Sequence, residues 1–137
     1  MIYALDTNII SYLFRGKEET RKHFEQEIVQ SDNSYVIPPV VVYELQRWLH
    51  DNPTPKLLAF AKVFEELYQS VRDNAEMTAV SWEKAAEIFI TLKQKGQLIE
   101  EADILIAAYC IVNDYTLVTN NMRHFERVLG LKYVNWC

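Results

Sequence analysis

Glycine and cysteine are both scarce in this sequence, which has three glycines and two cysteines among 137 residues. Cys110 and Cys137 show neither a CxxC motif nor the spacing of a disulfide framework, so we expect free thiols in a reducing compartment. With so few glycines there is no Gly-rich phosphate-binding loop, and no GxSxG nucleophile motif occurs. These absences exclude several common nucleotide-binding and hydrolase classes.

Long hydrophobic runs are missing as well. No apolar stretch approaches the ~18 residues of a membrane span, and no basic-then-apolar leader precedes the first apolar run. We therefore expect a cytoplasmic protein without a membrane association. The formal net charge of -5 argues against non-specific coating of nucleic acid, which depends on Lys and Arg neutralising phosphates. A nucleic-acid enzyme that binds through a local basic patch and metal ions remains compatible with this charge.

The sequence predicts one α/β domain spanning residues 1–137. Each of the three glycines follows a segment with helical character, at the place where a helix needs a left-handed closing residue. Short β-rich runs alternate with longer helical segments, which predicts βαβ units in a three-layer α/β/α sandwich with a mainly parallel sheet of about four to five strands. The predicted strands are 2–5, 35–38, 116–119 and 132–136. The main predicted helices are 18–30, 40–49, 55–70, 81–96 (with Ser81 as its cap) and 100–114.

Carboxylate and amide side chains stand near the predicted strand ends, where sites form in open parallel sheets. Asp6 directly follows the first strand, and Glu44 lies one turn into the helix after the second strand. Asp103 heads the helix that precedes strand 116–119, and Asn120 and Asn121 follow that strand. These side chains from distant segments are therefore expected to converge at one edge of the sheet.

Each of these residues also has an ordinary structural explanation. Asp6 could cap the helix that follows it, and Glu44 could lie on a solvated helix face. Asp103 could complement a helix dipole, as we expect for Glu100 and Glu101, and the two asparagines could serve in a turn. Together, however, clustered carboxylates repel one another unless cations neutralise them. Oxygen-only ligands favour Mg²⁺ or Mn²⁺ over zinc, and such ions suit phosphate chemistry.

The histidines offer no competing catalytic motif. His23, His50 and His124 lie near no recognisable serine or cysteine nucleophile motif. His124 is close in sequence to the candidate site, and for it we expect a surface role.

Three segments carry a family resemblance: "YALDTNIISYLFRG", "IPPVVVYELQRW" and "ADILIAAYCIVNDYTLVTNNMRHFERVLGL". In this order they resemble the PIN domain, specifically the VapC-type toxins of bacterial toxin–antitoxin modules. The resemblance covers nearly the whole chain. It implies a metal-dependent endoribonuclease that cuts phosphodiester bonds with water activated by Mg²⁺ or Mn²⁺.

The resemblance also assigns roles to residues. Asp6, Glu44 and Asp103 match the acidic metal-binding residues of the family, with Glu44 as a ligand or as the base that positions water. Asn121 stands where many PIN domains have a fourth Asp. Because Asn lacks that charge, a second metal ion should bind more weakly or only with substrate. The supporting polar residues are Thr7 and Asn8 in the opening motif, and Thr119 and Asn120 at the pocket rim.

Partners follow from the same resemblance. It implies an RNA substrate, a cognate VapB-like antitoxin and a homodimer, with assembly into a larger toxin–antitoxin complex left open. Arg15 and Arg123 are the candidates for RNA phosphate contacts, although solvated helix faces and interactions with helix C-terminal dipoles explain most of the basic residues here better. Other basic residues near the site in sequence are Lys17, Arg21, Lys22 and Arg47. The groove for the antitoxin is expected to involve Tyr12, Phe14, Trp48 and Leu49, for which core packing is the alternative.

Two other functions compete with this interpretation. The first is a PIN domain that serves as a non-catalytic RNA- or partner-binding module, which the neutral Asn121 would favour. The second is a receiver-like signalling domain. That class expects an adjacent acidic pair after the first strand and a Lys after a late strand, whereas Asp6 has no acidic neighbour.

Overall fold

A four-stranded parallel sheet forms the centre of the molecule, as seen in a computed structural model that describes residues 1–51 and 53–137. The strand order is β2-β1-β3-β4, and all three neighbouring pairs are parallel. The strands are β1 (Ile2–Leu5), β2 (Ser34–Val36), β3 (Thr116–Val118) and β4 (Tyr133–Val134). The expectation of an α/β fold with a parallel sheet of about four strands is confirmed.

Seven α-helices flank this sheet in the described part of the chain. They are α1 (Thr7–Phe14), α2 (Glu18–Phe24), α3 (Pro39–Asp51), α4 (Pro55–Gln69), α5 (Ala79–Gln94), α6 (Glu101–Asn113) and α7 (Met122–Phe125). A π-helical segment, Glu25–Val29, continues α2, and a short 3₁₀ helix, Arg72–Asn74, follows α4. None of the helices in these residues is long and apolar enough to cross a membrane.

The two central strands position the carboxyl edge of the sheet. Leu5 and Val118 are paired in register and fully buried, since a parallel sheet covered by helices hides both of its faces. The backbone N–H of Asp6 continues the ladder by donating to the Val118 carbonyl at 3.0 Å. The residues that follow β1 and β3 therefore leave the sheet side by side.

The structure corrects three local predictions. Helix α5 is capped by Thr78, whose hydroxyl accepts from the Ser81 backbone N–H at 3.2 Å, so Ser81 is a buried first-turn residue and not the cap. Thr78 has the extended backbone that an N-cap requires. Gly130 has a positive φ but follows an irregular turn, because α7 ends at Phe125. The last strand has two residues, fewer than expected.

Other local predictions are confirmed. Gly16 and Gly96 adopt positive φ values of 72° and 66° just beyond α1 and α5, in the conformation expected of helix-closing glycines. The two cysteines are free thiols, Cys110 buried and Cys137 exposed.

Candidate functional site

A cleft of about 320 Å³ opens at the carboxyl edge of the sheet. It brings together the three predicted acids, although they come from chain segments far apart in sequence. Its lining residues are Asp6, Thr7, Asn8, Ser11, Glu44, Leu45, Trp48, Glu100, Asp103 and Asn121.

Asp6 is the most buried carboxylate of the cleft, with 5% of its surface exposed. Its Oδ1 accepts a hydrogen bond from the Thr7 backbone N–H at 2.7 Å, so the helix-capping explanation also holds. Its Oδ2 accepts from the Thr119 hydroxyl at 2.7 Å and from the Asn8 amide at 3.4 Å. Asp6 is therefore both the cap of α1 and a carboxylate fixed in one orientation at the floor of the cleft.

The pKa of Asp6 is raised to about 6, chiefly by burial and to a smaller extent by the negative charges of Asp103 and Glu44. The hydrogen bonds from Thr119 and Thr7 act in the opposite direction because they stabilise the ionised form. A buried carboxylate that is costly to ionise, and that faces two more acids, is an environment that a bound cation would relieve.

Glu44 reaches the cleft from α3. Its Oε1 accepts a hydrogen bond from the Thr7 hydroxyl at 2.9 Å, which ties α3 to the first turn of α1. Burial raises the pKa of Glu44 and the charge of Asp103 adds to this, while Arg47 lowers it. Glu44 is thus a half-buried carboxylate of the site, and the solvated-face explanation does not describe it.

Asp103 lies in the first turn of α6 and contacts two residues that follow β3. Its Oδ2 lies 2.7 Å from His124 Nδ1 and 3.3 Å from Asn121 Nδ2. Burial raises the pKa of Asp103, the contact with His124 lowers it, and Glu100 raises it. The expectation of a surface role for His124 is wrong, since its ring contacts a carboxylate of the cleft. Glu100, expected to serve a helix dipole, also lines the cleft.

The two asparagines after β3, Asn120 and Asn121, make hydrogen bonds with different partners. The Asn121 backbone N–H donates to the Thr119 hydroxyl at 2.9 Å, so that one hydroxyl connects Asn121 with Asp6. Asn120 is exposed, and its backbone N–H donates to Asn8 Oδ1 at 3.1 Å. Its side chain contacts the Tyr12 hydroxyl at 3.2 Å. The predicted supporting residues therefore form a hydrogen-bonded rim around Asp6.

The candidate RNA-binding arginines lie outside the set of described residues that line the cleft. Arg15 is exposed, with its guanidinium carbon 5.8 Å from the centre of the Tyr12 ring. Arg123 is exposed on α7, one residue before His124. Their contact with RNA phosphates stays a prediction.

The four expected groove residues separate into different environments. A second, apolar groove of about 300 Å³ runs between α1, α2 and α4, and Phe14 lines it with Phe60 and Phe64. Trp48 lines the acidic cleft instead, Leu49 is a core residue and Tyr12 belongs to the polar rim. The four residues do not line one shared groove, and core packing, the alternative explanation, describes Leu49.

The donor set of the acidic cleft fits a hard divalent cation. Asp6, Glu44 and Asp103 supply carboxylate oxygens, the ligands that Mg²⁺ and Mn²⁺ prefer. Glu44 Oε2 and Asp103 Oδ1 accept no hydrogen bond from the described residues, so these atoms are available to an ion. In the same residues no group of three His, Cys, Asp or Glu side chains is already arranged around one point.

Comparison with known proteins identifies the family. A profile of the PIN domain matches residues 3–130. Ribonuclease VapC2 of Rickettsia felis is 31% identical over 137 residues, which cover 99% of this chain and 98% of that protein. The crystal structure of VapBC2 from Rickettsia felis bound to a DNA fragment from their promoter matches with a TM-score of 0.86 and 28% identity, over 100% of both chains.

A second solved VapBC structure is also similar to this chain. VapBC-1 from nontypeable Haemophilus influenzae matches with a TM-score of 0.83 and 25% identity, covering 99% of this chain and 98% of that one. The match extends from β1 to beyond α7, the whole region that builds the acidic cleft. The receiver-like alternative is therefore set aside, and the chain belongs to the PIN domain family.

Proposed function

We propose that the protein is the toxin of a toxin–antitoxin pair and acts as a divalent-metal-dependent endoribonuclease. One observation carries this proposal: three carboxylates from distant segments line a single cleft at the ends of the two central strands. The relatives named Ribonuclease VapC support RNA as the substrate. The similar VapBC structures support a VapB-like antitoxin as the partner, and we extend to this chain the homodimer implied by the family.

Different residues of the chain would have different roles in the reaction. Asp6, Glu44 and Asp103 would hold Mg²⁺ or Mn²⁺, and such an ion polarises the phosphoryl group and lowers the pKa of a bound water. Thr119 and the Thr7 backbone fix the Asp6 carboxylate, so its orientation is set before substrate arrives. Glu44 has one oxygen held by Thr7, so its other oxygen would serve either as a ligand of the ion or to orient the attacking water.

Metal removal tests the proposal directly. The antitoxin-free protein should cleave RNA with Mg²⁺ or Mn²⁺, lose cleavage completely in EDTA, and regain it when the ion is restored. Growth arrest on expression, relieved by co-expression of the upstream neighbouring gene, would support the toxin role. Cleavage that persists in EDTA would refute the metal mechanism. RNA binding with no cleavage under any ion would favour the non-catalytic binding module.

The neutral Asn121 leads to a second prediction. Asn121→Asp places another carboxylate within reach of the Asp103 oxygen that the Asn121 amide now contacts at 3.3 Å. An added anion in this partly buried cluster should tighten Mg²⁺ binding by about tenfold, measured by isothermal titration calorimetry, because attraction to the cation increases. The control is Asn120→Asp, since the Asn120 side chain contacts Tyr12 and Asn135. If the two substitutions changed the Mg²⁺ affinity equally, the prediction would be contradicted.

A further inference from the structure

Two pairs of residues on neighbouring helices form walls of the acidic cleft. Thr7 and Ser11 lie four residues apart on α1, and Glu44 and Trp48 lie four residues apart on α3, so each pair shares one helix face. All four residues line the cleft. The Thr7 hydroxyl donates to Glu44 at 2.9 Å, which joins the two walls beside the carboxylates. Ser11 and Trp48 each lie one helical turn, about 5.4 Å, from this contact.

Trp48 presents part of its indole to the cleft. Its ring centre lies 5.3 Å from that of the fully buried Phe60, in an edge-to-face contact that anchors the indole against the core. Nevertheless Trp48 is 44% exposed, and it lines the same cleft as the carboxylates. Trp48 is thus an aromatic surface held by the core and open to the cleft, one turn beyond Glu44.

An unpaired nucleobase matches this part of the cleft. A base carries no charge, so it can lie beside the acids without repulsion, whereas its phosphate needs the cation that the acids hold. Single-stranded nucleic acids are commonly bound by bases that stack on aromatic side chains. The indole of Trp48 offers such a stacking face, and the Ser11 hydroxyl can donate to or accept from a base edge. The cleft volume of about 320 Å³ is that of a small-ligand pocket, which suits one nucleotide and not a duplex.

We propose that Trp48 stacks on an unpaired base of the RNA, next to the phosphate held at the carboxylates. This inference rests on the proposed function and deepens it by assigning a base-binding subsite, which selects single-stranded RNA. Trp48 is one of the residues that the sequence placed in an antitoxin groove. Its position in the acidic cleft, apart from the apolar groove that Phe14 lines, favours RNA as the occupant.

Tryptophan fluorescence tests the stacking contact. The whole protein, free of antitoxin, is mixed by stopped flow in Mg²⁺ with single-stranded homopolymers of each of the four ribonucleotides, so that binding is observed before cleavage. The homopolymers should quench the wild-type fluorescence, and an equally long ribose–phosphate oligomer without bases should not. Trp48→Phe should lose most of the quench. Trp82→Phe is the matched control and should keep it, because Trp82 is 53% exposed on α5 and lies outside the set of described residues that line the cleft.

Three results of this experiment would overturn the proposal. They are the absence of quenching by any homopolymer, a quench that survives in Trp48→Phe, and an equal quench by the oligomer without bases. If the VapB-like antitoxin changed the Trp48 fluorescence and no RNA did, the surface would belong to the protein partner, which would also overturn the proposal.

Binding affinities separate stacking from a merely structural role of Trp48. Trp48→Leu removes the aromatic face and should weaken homopolymer binding by about tenfold, while Trp48→Phe keeps a stacking ring and should stay within about threefold of wild type. Trp82→Leu should leave RNA binding unchanged. The Mg²⁺ affinity should be the same in wild type and Trp48→Leu. Equal weakening of Mg²⁺ and RNA binding would indicate a displaced Glu44 and would overturn the proposal.

The proposed function fails separately from this inference. Base-dependent quenching of Trp48 without RNA cleavage under any ion would refute only the nuclease activity. Metal-dependent cleavage with the same KM in wild type and Trp48→Leu would refute only the base-binding subsite.

Discussion

Asp6→Asn is expected to reduce RNA cleavage by at least about 100-fold while leaving the protein folded. Residues that only support a metal ligand typically contribute 10–100-fold, so loss of a proposed ligand should reach at least the upper end of that range. Asparagine has nearly the same shape as aspartate and can still accept from the Thr7 backbone N–H. The variant removes the charge of the carboxylate, and an amino group replaces Oδ2, the atom that accepts from Thr119 and Asn8 in the wild type.

The same substitution should stabilise the metal-free protein. Because the pKa of Asp6 in the folded state is raised to about 6, the folded protein binds this proton more tightly than the unfolded chain does. The contribution of Asp6 to stability is therefore fully present below its unfolded pKa of 3.8 and is lost as the pH rises through about 6. At pH 7 the ionised carboxylate lowers the free energy of unfolding by up to about 3 kcal/mol.

Chemical denaturation in EDTA, at pH 7 and at pH 4.5, measures this effect. At pH 7 Asp6→Asn should be more stable than wild type, and the difference should shrink at pH 4.5. Added Mg²⁺ should raise the melting temperature of the wild type but not that of the variant. Asp32→Asn, on the exposed turn before β2, is the matched control and is expected to change none of these readouts. A variant that is less stable at pH 7 and cleaves normally would contradict the assigned role of Asp6.

Phe60→Ala is expected to lower the free energy of unfolding by about 3–5 kcal/mol, the usual cost of emptying a buried aromatic site. Phe60 is fully buried in α4. Its ring centre lies 4.6 Å from that of Phe14 on α1 and 5.3 Å from that of Trp48 on α3, both in edge-to-face contacts. Phe60 therefore joins the two helices that deliver Thr7 and Glu44 to the cleft.

Urea denaturation measures the loss, with Leu58→Ala as the matched control on the same helix. Leu58 is 63% exposed, so its truncation should change stability by no more than about 0.5 kcal/mol. Under conditions where Phe60→Ala stays folded, its cleavage activity should also fall, because the hydrogen bond between Thr7 and Glu44 depends on how α1 and α3 pack. If both substitutions changed stability and cleavage only slightly, the contacts among Phe14, Trp48 and Phe60 would not support the site.

The position of Asp6 could be predicted from local sequence. A short apolar run that leads straight into Asp and Thr predicts a buried strand followed by a helix, and the structure shows β1 joined to α1 through Asp6 alone. The convergence of Glu44 and Asp103 on Asp6 followed from one rule, that the carboxyl ends of parallel strands share an edge. These features depend on strand polarity and helix phase, which sequence patterns report well.

Contacts between separate elements were harder to predict. His124 lies 21 residues from Asp103, and the two meet because α6, β3 and α7 pack around the same edge. The helix that carries His124 has four residues, too few to show a periodic pattern. A polar residue three positions after Asn121 was the only available signal. The two faces of α1 likewise became distinct only once α3 and α4 were seen packed against it.

The most direct test of the metal-dependent site is cleavage measured against metal occupancy. Mn²⁺ is titrated into metal-free wild type and Asp6→Asn in the presence of RNA, and bound Mn²⁺ and cleavage rate are recorded in the same samples. Wild-type cleavage should be zero without Mn²⁺ and rise in proportion to bound Mn²⁺, while Asp6→Asn should stay inactive at every concentration. Cleavage by the wild type before any Mn²⁺ binds, or full activity in Asp6→Asn, would contradict this prediction.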